Sequence, residues 1–218
     1  MDWYALRQQM VDEQLIARGI DNTRVLTVMR HLPRHIFVPE EYRHLAYEDN
    51  PLPIGDEQTI SQPFIVALMT QLLALEGHER ILEIGTGCGY QTAILAYLAK
   101  FVYSLERLPA LAHIAQQHLI ELALVDNVKL GIADGSYGLG DKSPFDAIIV
   151  TAGAPHIPQP LLTQLGKNGG RLIIPVGVGD KQELVHIQRQ GDEYVKTVIT
   201  PVRFVPLVGK FGFKPPPK

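Results

Sequence analysis

The chain is predicted to be an α/β protein, with a doubly wound, mostly parallel sheet, a helical N-terminal segment and a C-terminal antiparallel hairpin. Three observations carry that prediction. From residue 63 onward, short apolar strands alternate with helical patterns, as expected for βαβ units covered on both faces. A glycine-rich stretch, "LEIGTGCGY", joins the first of those strands to the helix after it. Near the end, "QELVHIQRQ" and "EYVKTVITPVRFVPL" flank "GDE", which predicts two strands folding back on each other at Gly191 and Asp192.

The first third is helical, then irregular. Trp3, Leu6, Met10, Val11, Leu15 and Ile16 follow one helical stripe, and Gly19 is placed to stop it. Asp21 or Asn22 can cap a second helix carrying Val25, Leu26 and Met29, which has to end by Pro33. Residues 33–62 contain Pro33, Pro39, Pro51, Pro53 and Gly55, yet apolar and aromatic side chains recur through them (Phe37, Val38, Tyr42, Leu45, Tyr47). That pattern suits a long ordered loop, and long ordered loops tend to be functional.

The regular part starts with a helix over about 63–75, with Pro63 in its first turn, where the missing N–H costs nothing. The strand "RILEIG", the helix "YQTAILAYLAK" and the strand "FVYSLE" come next. A helix over about 109–123, strands "NVKLGIA" and "FDAIIVTA", a short helix near 158–165 and the strand "GRLIIPVG" complete the series. The expected organisation is residues 1–62 as N-terminal helices and an active-site loop packed on the main domain, 63–209 as the ligand-binding α/β domain, and 210–218 as a disordered tail ending in "KPPPK".

Bulk properties narrow the function classes. With 218 residues and 46% hydrophobic content, the chain can bury a sizeable core. A net charge of −3 gives no bulk attraction to phosphate backbones or anionic membranes, so neither nucleic acid nor membrane is an expected partner. Cys88 is the only cysteine, which rules out an internal disulfide and suits a reducing compartment. No basic stretch followed by an apolar core opens the chain, and the apolar runs fall well short of the ~20 residues that span a bilayer. The expectation is a soluble, cytoplasmic protein. No metal site is expected: Pro33 separates His31 from His35, and His113 and His118 are poorly spaced for shared ligation.

The glycine stretch is where ligand chemistry begins. Gly85, Gly87 and Gly89 are spaced G-x-G-x-G, and Tyr90 stands where a dinucleotide fingerprint needs its last glycine. The G-K-[ST] ending of a phosphate loop is also missing. What remains is a tight turn whose backbone can approach a nucleoside-like ligand. Glu106 closes the second strand of the α/β region and can accept from ribose hydroxyls, and Asp134 in "ADGS" can accept from an adenine amino group. Either acid could instead be a helix cap. Cys88 reads as a small packing residue, and Tyr90 and Gln91 as packing or solvent-facing. In "DEQTISQPF", Thr59 and Ser61 could cap the following helix or face a ligand, while Asp56 and Glu57 read as loop acids.

"EIGTGCG", "SLER", "ADGSYG" and "FDAIIVTAGAP" resemble the motifs of class I S-adenosylmethionine-dependent methyltransferases, which have a Rossmann-like fold. "YEDNPLPIGDEQTISQPFIVALMTQLL" is similar to the N-terminal signature of protein-L-isoaspartate O-methyltransferases, and "GAPHIPQPLLTQL", "GGRLIIPVG" and "VRFVPL" resemble later blocks of that family in order. The resemblance runs from about residue 5 to 209. It implies methyl transfer from S-adenosyl-L-methionine to the free carboxylate of L-isoaspartyl residues, giving S-adenosyl-L-homocysteine and an ester that collapses to a succinimide. The implied partners are isoaspartyl-containing proteins and peptides, and the chain is expected to act as a monomer.

The resemblance also implies roles for single residues. Ser61 maps onto the family's active-site serine, with Thr59 and Ile60 lining the cofactor. Glu83, Gly85 and Gly87 are implied at its methionine part, with Thr86 and Gly89 in the same loop. Glu106, next to Arg107, is implied at the ribose, and Asp134 and Gly135 at the adenine. Val205, Pro206 and Leu207 are implied in the peptide groove. The chemistry is compatible with these assignments: a carboxylate is already ionised at neutral pH and needs no general base. Ala133 and Val208 depart from the family pattern. A nucleic-acid or amine methyltransferase is disfavoured because "TAGAP" stands where such enzymes carry [DN]-P-P-[YF]. A non-catalytic nucleoside-binding module is disfavoured because the "TISQP" hydroxyls are intact.

Overall fold

A computed structural model describes residues 1–215. Helix α1 (Trp3–Gln9) is capped by the Asp2 carboxylate, which accepts the Ala5 N–H at 2.9 Å. It then widens into a π-helical turn over Met10–Leu15 and tightens into a 3-10 turn over Ile16–Arg18. That change of pitch buries Met10, Val11 and Leu15 and leaves Ile16 44% exposed, so the expected stripe stops one residue early. Gly19 ends the run at φ 89°. Asn22, rather than Asp21, caps α2 (Thr23–His31), its side chain accepting the N–H groups of Arg24 and Val25.

The region over 33–62 is more regular than a loop. It contains 3-10 turns over Arg34–Phe37 and Glu40–Leu45, then an antiparallel hairpin of β1 (Leu52–Gly55) and β2 (Gln58–Ile60). Asp56 and Glu57 form its turn at φ 48° and 57°, the left-handed conformation that two-residue hairpins require. Helix α3 (Pro63–Leu72) follows with Pro63 at its start, and no side chain of the "TISQ" stretch caps it. Asp49 supplies that cap: Oδ1 accepts the Phe64 N–H at 3.2 Å, while Oδ2 accepts from Gln62 and pairs with Arg18.

The apolar strands assemble into one seven-stranded sheet: β3 (Arg80–Ile84), β4 (Phe101–Glu106), β5 (Val128–Ile132), β6 (Ala147–Val150), β7 (Asn168–Val178), β8 (Lys181–Gln190) and β9 (Glu193–Val202). Their order is β5-β4-β3-β6-β7-β8-β9, parallel as far as β7 and antiparallel beyond it. Helices α4 (Tyr90–Leu98), α5 (Pro109–Glu121) and α6 (Gln159–Thr163) cover the faces. Successive residues of a strand enter different cores, since side chains alternate along it. Ile81, Val102 and Ile149 pack with the N-terminal helices, α4 and α5, while Leu82, Leu105 and Ile148 pack with α6. The chain winds outward from β3 to β5 and then restarts at β6 on the other side of β3. That reversal opens a crevice at the carboxyl ends of β3 and β6.

The C-terminal region differs from expectation in two places. Strand β9 ends at Val202, and Pro206 pairs instead in parallel fashion with Gly153. The tail expected to be disordered from residue 210 is folded through residue 213. Phe213 donates to Leu207 at 2.8 Å, Gly209 donates to Phe213 at 3.0 Å, and the Phe211 ring meets Tyr137 edge-on at 5.1 Å. The proline-rich composition concealed this anchor, and residues 216–218 of that expectation lie outside the described residues. Among the described residues no helix is long and apolar enough to cross a membrane.

Candidate active site

The crevice holds an open cleft of about 1020 Å³, its mouth included. Of the residues expected at the site, it is lined by Thr59, Ile60, Ser61, Gly85, Thr86, Gly87, Glu106, Arg107, Gly135, Val205, Pro206 and Leu207. Glu83, Gly89 and Asp134 do not line it.

Gly85 turns the chain off β3 at φ 96°, and a Cβ there would meet Thr151 Oγ1 at 2.3 Å. The Thr151 hydroxyl donates to the Gly85 carbonyl at 2.6 Å and braces the turn from the end of β6. Gly87 N–H donates to Glu106 Oε2 at 2.9 Å, while Glu106 Oε1 accepts from the N–H groups of Arg107 and Leu108 at 2.8 and 2.9 Å. Glu106 thus braces the glycine loop and the start of α5 and also faces the cleft. Three donors leave one of a carboxylate's roughly four acceptor positions for a ligand.

Glu83 requires a correction. It is fully buried beneath the loop, where Oε2 accepts from the hydroxyls of Thr92 and Ser104 at 2.5 and 2.6 Å. Burial pushes its carboxyl up to about 7, against the pull of those two hydroxyls. Ser104 in turn bonds Thr86 at 2.6 Å, so Glu83 reaches the cleft only through a chain of hydroxyls. Gly89 is a packing glycine: it starts α4 at φ 89°, and a Cβ there would meet Ala115 at 3.2 Å.

Asp134 is the second correction. Oδ1 accepts from Ser136 N–H and Oγ at 2.9 and 2.7 Å, and Oδ2 accepts the Lys210 N–H at 2.8 Å. Its carboxylate caps the turn Gly135–Tyr137 and fastens the C-terminal segment, as the helix-cap alternative allowed. Gly135 comes to the cleft instead, and a Cβ there would meet Ile84 Cγ2 at 2.4 Å.

Other lining residues were not among the expected site residues, Cys88, Tyr90, Gln91 and Thr151 among them. Thr151 was findable, because it follows "AIIV" as Gly85 follows "RILEI", placing both at neighbouring strand ends. Burial pushes the Cys88 thiol up to about 11, which keeps it protonated at neutral pH and unsuited to nucleophilic attack.

A second cleft lies behind Ser61, lined by Pro51, Gln62, Ile65 and residues 201–205. Thr59, Ser61, Thr151 and Val205 belong to both clefts. The 203–207 segment is firmly held. Gln182 grips the Phe204 backbone by both amide atoms, at 3.1 and 2.8 Å, and Gly153 bonds Val205 and Leu207 at 2.8 and 2.7 Å. Among the described residues, no group of three or more His, Cys, Asp or Glu is arranged to hold a metal ion.

Residues 6–212 match the family described as protein-L-isoaspartate(D-aspartate) O-methyltransferase (PCMT). The chain belongs to this family. A protein-L-isoaspartate O-methyltransferase 1 from Syntrophobacter fumaroxidans is 56% identical over 208 residues, covering 95% of this chain and 96% of its own. One from Geobacter metallireducens is 51% identical over 214 residues, covering 98% of each chain. A Plasmodium falciparum structure, described as a protein-L-isoaspartate O-methyltransferase in complex with S-adenosyl-L-homocysteine, superimposes with a TM-score of 0.78 at 28% identity, covering 91% of this chain and 96% of that one. The protein-L-isoaspartate O-methyltransferase match takes in the N-terminal helices and most of the folded C-terminal segment, so both are part of the family's common body.

Proposed function

We propose that the chain transfers the methyl group of S-adenosylmethionine to the free carboxylate of L-isoaspartyl residues in damaged proteins and peptides, and that Ser61 holds that carboxylate. The observation that supports Ser61 is its place in the wall between two clefts, with its hydroxyl engaged in no helix cap.

The larger cleft suits the cofactor. Gly85 and Gly135 let the backbone at its wall pack directly against Thr151 and Ile84, Glu106 has acceptor capacity for a ribose hydroxyl, and Thr59, Ile60, Thr86, Gly87 and Arg107 complete the lining. Asp134 contributes by fixing the Gly135 turn rather than by direct contact. When bound, S-adenosylmethionine supplies a methyl group on a sulfonium and leaves as S-adenosylhomocysteine.

The second cleft, with Pro51, Ile65 and the 201–205 segment, suits an extended peptide. The substrate carboxylate is ionised at neutral pH, so no residue has to remove a proton. Ser61 donates to one carboxylate oxygen and leaves the other free to attack. Such orientation can contribute ~7–11 kcal/mol relative to free encounter. The ester then closes to a succinimide without the enzyme's help, and hydrolysis returns part of it to aspartate. We place this activity in the cytoplasm, carried out by a monomer on proteins and peptides. The net charge of −3 supports a protein over a nucleic-acid substrate.

The test offers an isoaspartyl peptide and its aspartyl twin with labelled S-adenosylmethionine. Label is expected in the isoaspartyl peptide alone. Equal labelling of the two, or none, overturns the assignment.

A further inference from the structure

Arg34 is fully buried, yet no ion pair among the described residues includes it. Its Nε donates to the Ala46 carbonyl and its Nη2 to the Ser61 carbonyl, both at 2.8 Å. Its Nη1 has no carboxylate or carbonyl partner and lies against Tyr90, a buried phenol whose ring centre is 4.9 Å from the guanidinium carbon. Tyr90 and Cys88 nearby are neutral at pH 7, burial having pushed the phenol up to about 12 and the thiol to about 11. A guanidinium keeps its charge in such a setting, and buried charges are ordinarily paired. Ser61 and Tyr90 both line the larger cleft and Arg34 does not, so the cation stands one layer behind the wall.

We propose that Arg34 is a positioning residue for the substrate carboxylate: it fixes the Ser61 backbone and supplies, from behind it, the positive charge that an isoaspartyl carboxylate completes. The proposal rests on the assignment of Ser61 above. Placement at one remove has a chemical reason. A cation touching the carboxylate would occupy the lone pairs that must attack and would crowd a sulfonium of like charge. A cation one layer back attracts the anion and leaves the attacking oxygen free. Bonding two carbonyls from separate segments also uses the fixed fork of arginine, which a lysine ammonium does not reproduce.

The test compares Arg34→Met and Arg34→Lys in the full chain. The readouts are peptide KM, kcat and, by calorimetry, the affinity for S-adenosylhomocysteine. Arg34→Met is expected to raise the KM for an isoaspartyl peptide ~10-fold or more while the homocysteine product binds within ~3-fold of normal. Arg34→Lys, which keeps the charge, recovers much of that loss. Equal KM effects of Met and Lys, or a loss confined to melting temperature and product affinity, make Arg34 a structural staple and overturn the proposal.

Should neither variant fold, the wild-type enzyme still decides the matter by nitrogen-15 NMR of the Arg34 guanidinium. Its resonance is expected to move when isoaspartyl peptide joins the enzyme–S-adenosylhomocysteine complex and to stay put with the aspartyl twin; no movement with either overturns the proposal. Failure of the Ser61 assignment looks different. Ser61→Ala with normal turnover removes Ser61 whatever Arg34 does, while normal peptide KM in both Arg34 variants removes Arg34 and leaves Ser61 standing.

Discussion

Asp49 Oδ1 accepts the backbone N–H of Phe64 at 3.2 Å, so the helix after the active-site stretch is capped from outside that stretch. With Ser61 in its proposed role, stability and catalysis are thereby separated between two residues. Asp49→Ala is expected to cost about 1–2 kcal/mol of unfolding free energy, the scale of a lost cap. Ser61→Ala should stay within about 0.5 kcal/mol of the parent and still lose roughly 10²-fold in turnover, as when an oriented donor is removed. Urea denaturation and initial rates on the same preparations check both. A Ser61→Ala enzyme that melts early but turns over normally would return Ser61 to a structural role.

Glu106 accepts three backbone hydrogen bonds and faces the cleft as well. Glu106→Ala is expected to weaken S-adenosylhomocysteine binding by ~1.5–3 kcal/mol, the worth of a charged hydrogen bond, and to lower the melting temperature too. Calorimetry and thermal melts separate the two effects. Undiminished affinity in the folded variant removes Glu106 from ribose binding.

Glu83 makes stability depend on pH. Its carboxyl stands near 7 in the folded chain against 4.5 unperturbed, so the folded state holds a proton that the unfolded state has lost between those values. Stability should fall as pH rises through that window, by about 3 kcal/mol at most, and level off above it. Glu83→Gln, neutral throughout, should lack this slope. Urea unfolding at pH 5 and pH 8 tests it: parallel behaviour of parent and variant would show that Glu83 is ionised in the folded chain.

Asp134 ties the C-terminal segment down through the Lys210 N–H. Asp134→Ala should therefore speed amide hydrogen exchange at Lys210 and Phe211 while β3 and β4 keep their protection. Unchanged exchange at those two amides would mean that the segment's other contacts, the bonds of Phe211 to Ser136 and of Phe213 to Leu207 among them, hold it without Asp134.

The parts of this fold legible in the sequence are the local ones. "RILEIG" followed by glycines and an apolar helix specifies a strand, turn and helix within a dozen residues, and β3, Gly85 and α4 appear where that pattern puts them. The Asp49 cap was not legible, because its carboxylate and the Phe64 amide meet only through the fold of 33–62. The pairing of β3 with β6 is likewise tertiary, as patterning marks a strand but not its neighbour. Glu83 and Asp134 misled for a related reason. An acid near a strand end suits a ligand and a structural contact equally well, and only the position of Thr92, Ser104 and Lys210 decides between them.

Thr59, Ser61, Thr151 and Val205 form a party wall between two clefts that both open to solvent. If, as proposed, the nucleoside fills one cleft and the protein substrate the other, the reactants enter by different mouths and meet beside the shared residues. Spent S-adenosylhomocysteine can then leave and be replaced while a damaged chain stays docked. On that proposal neither reactant obstructs the other's exit, and the order of release follows affinity.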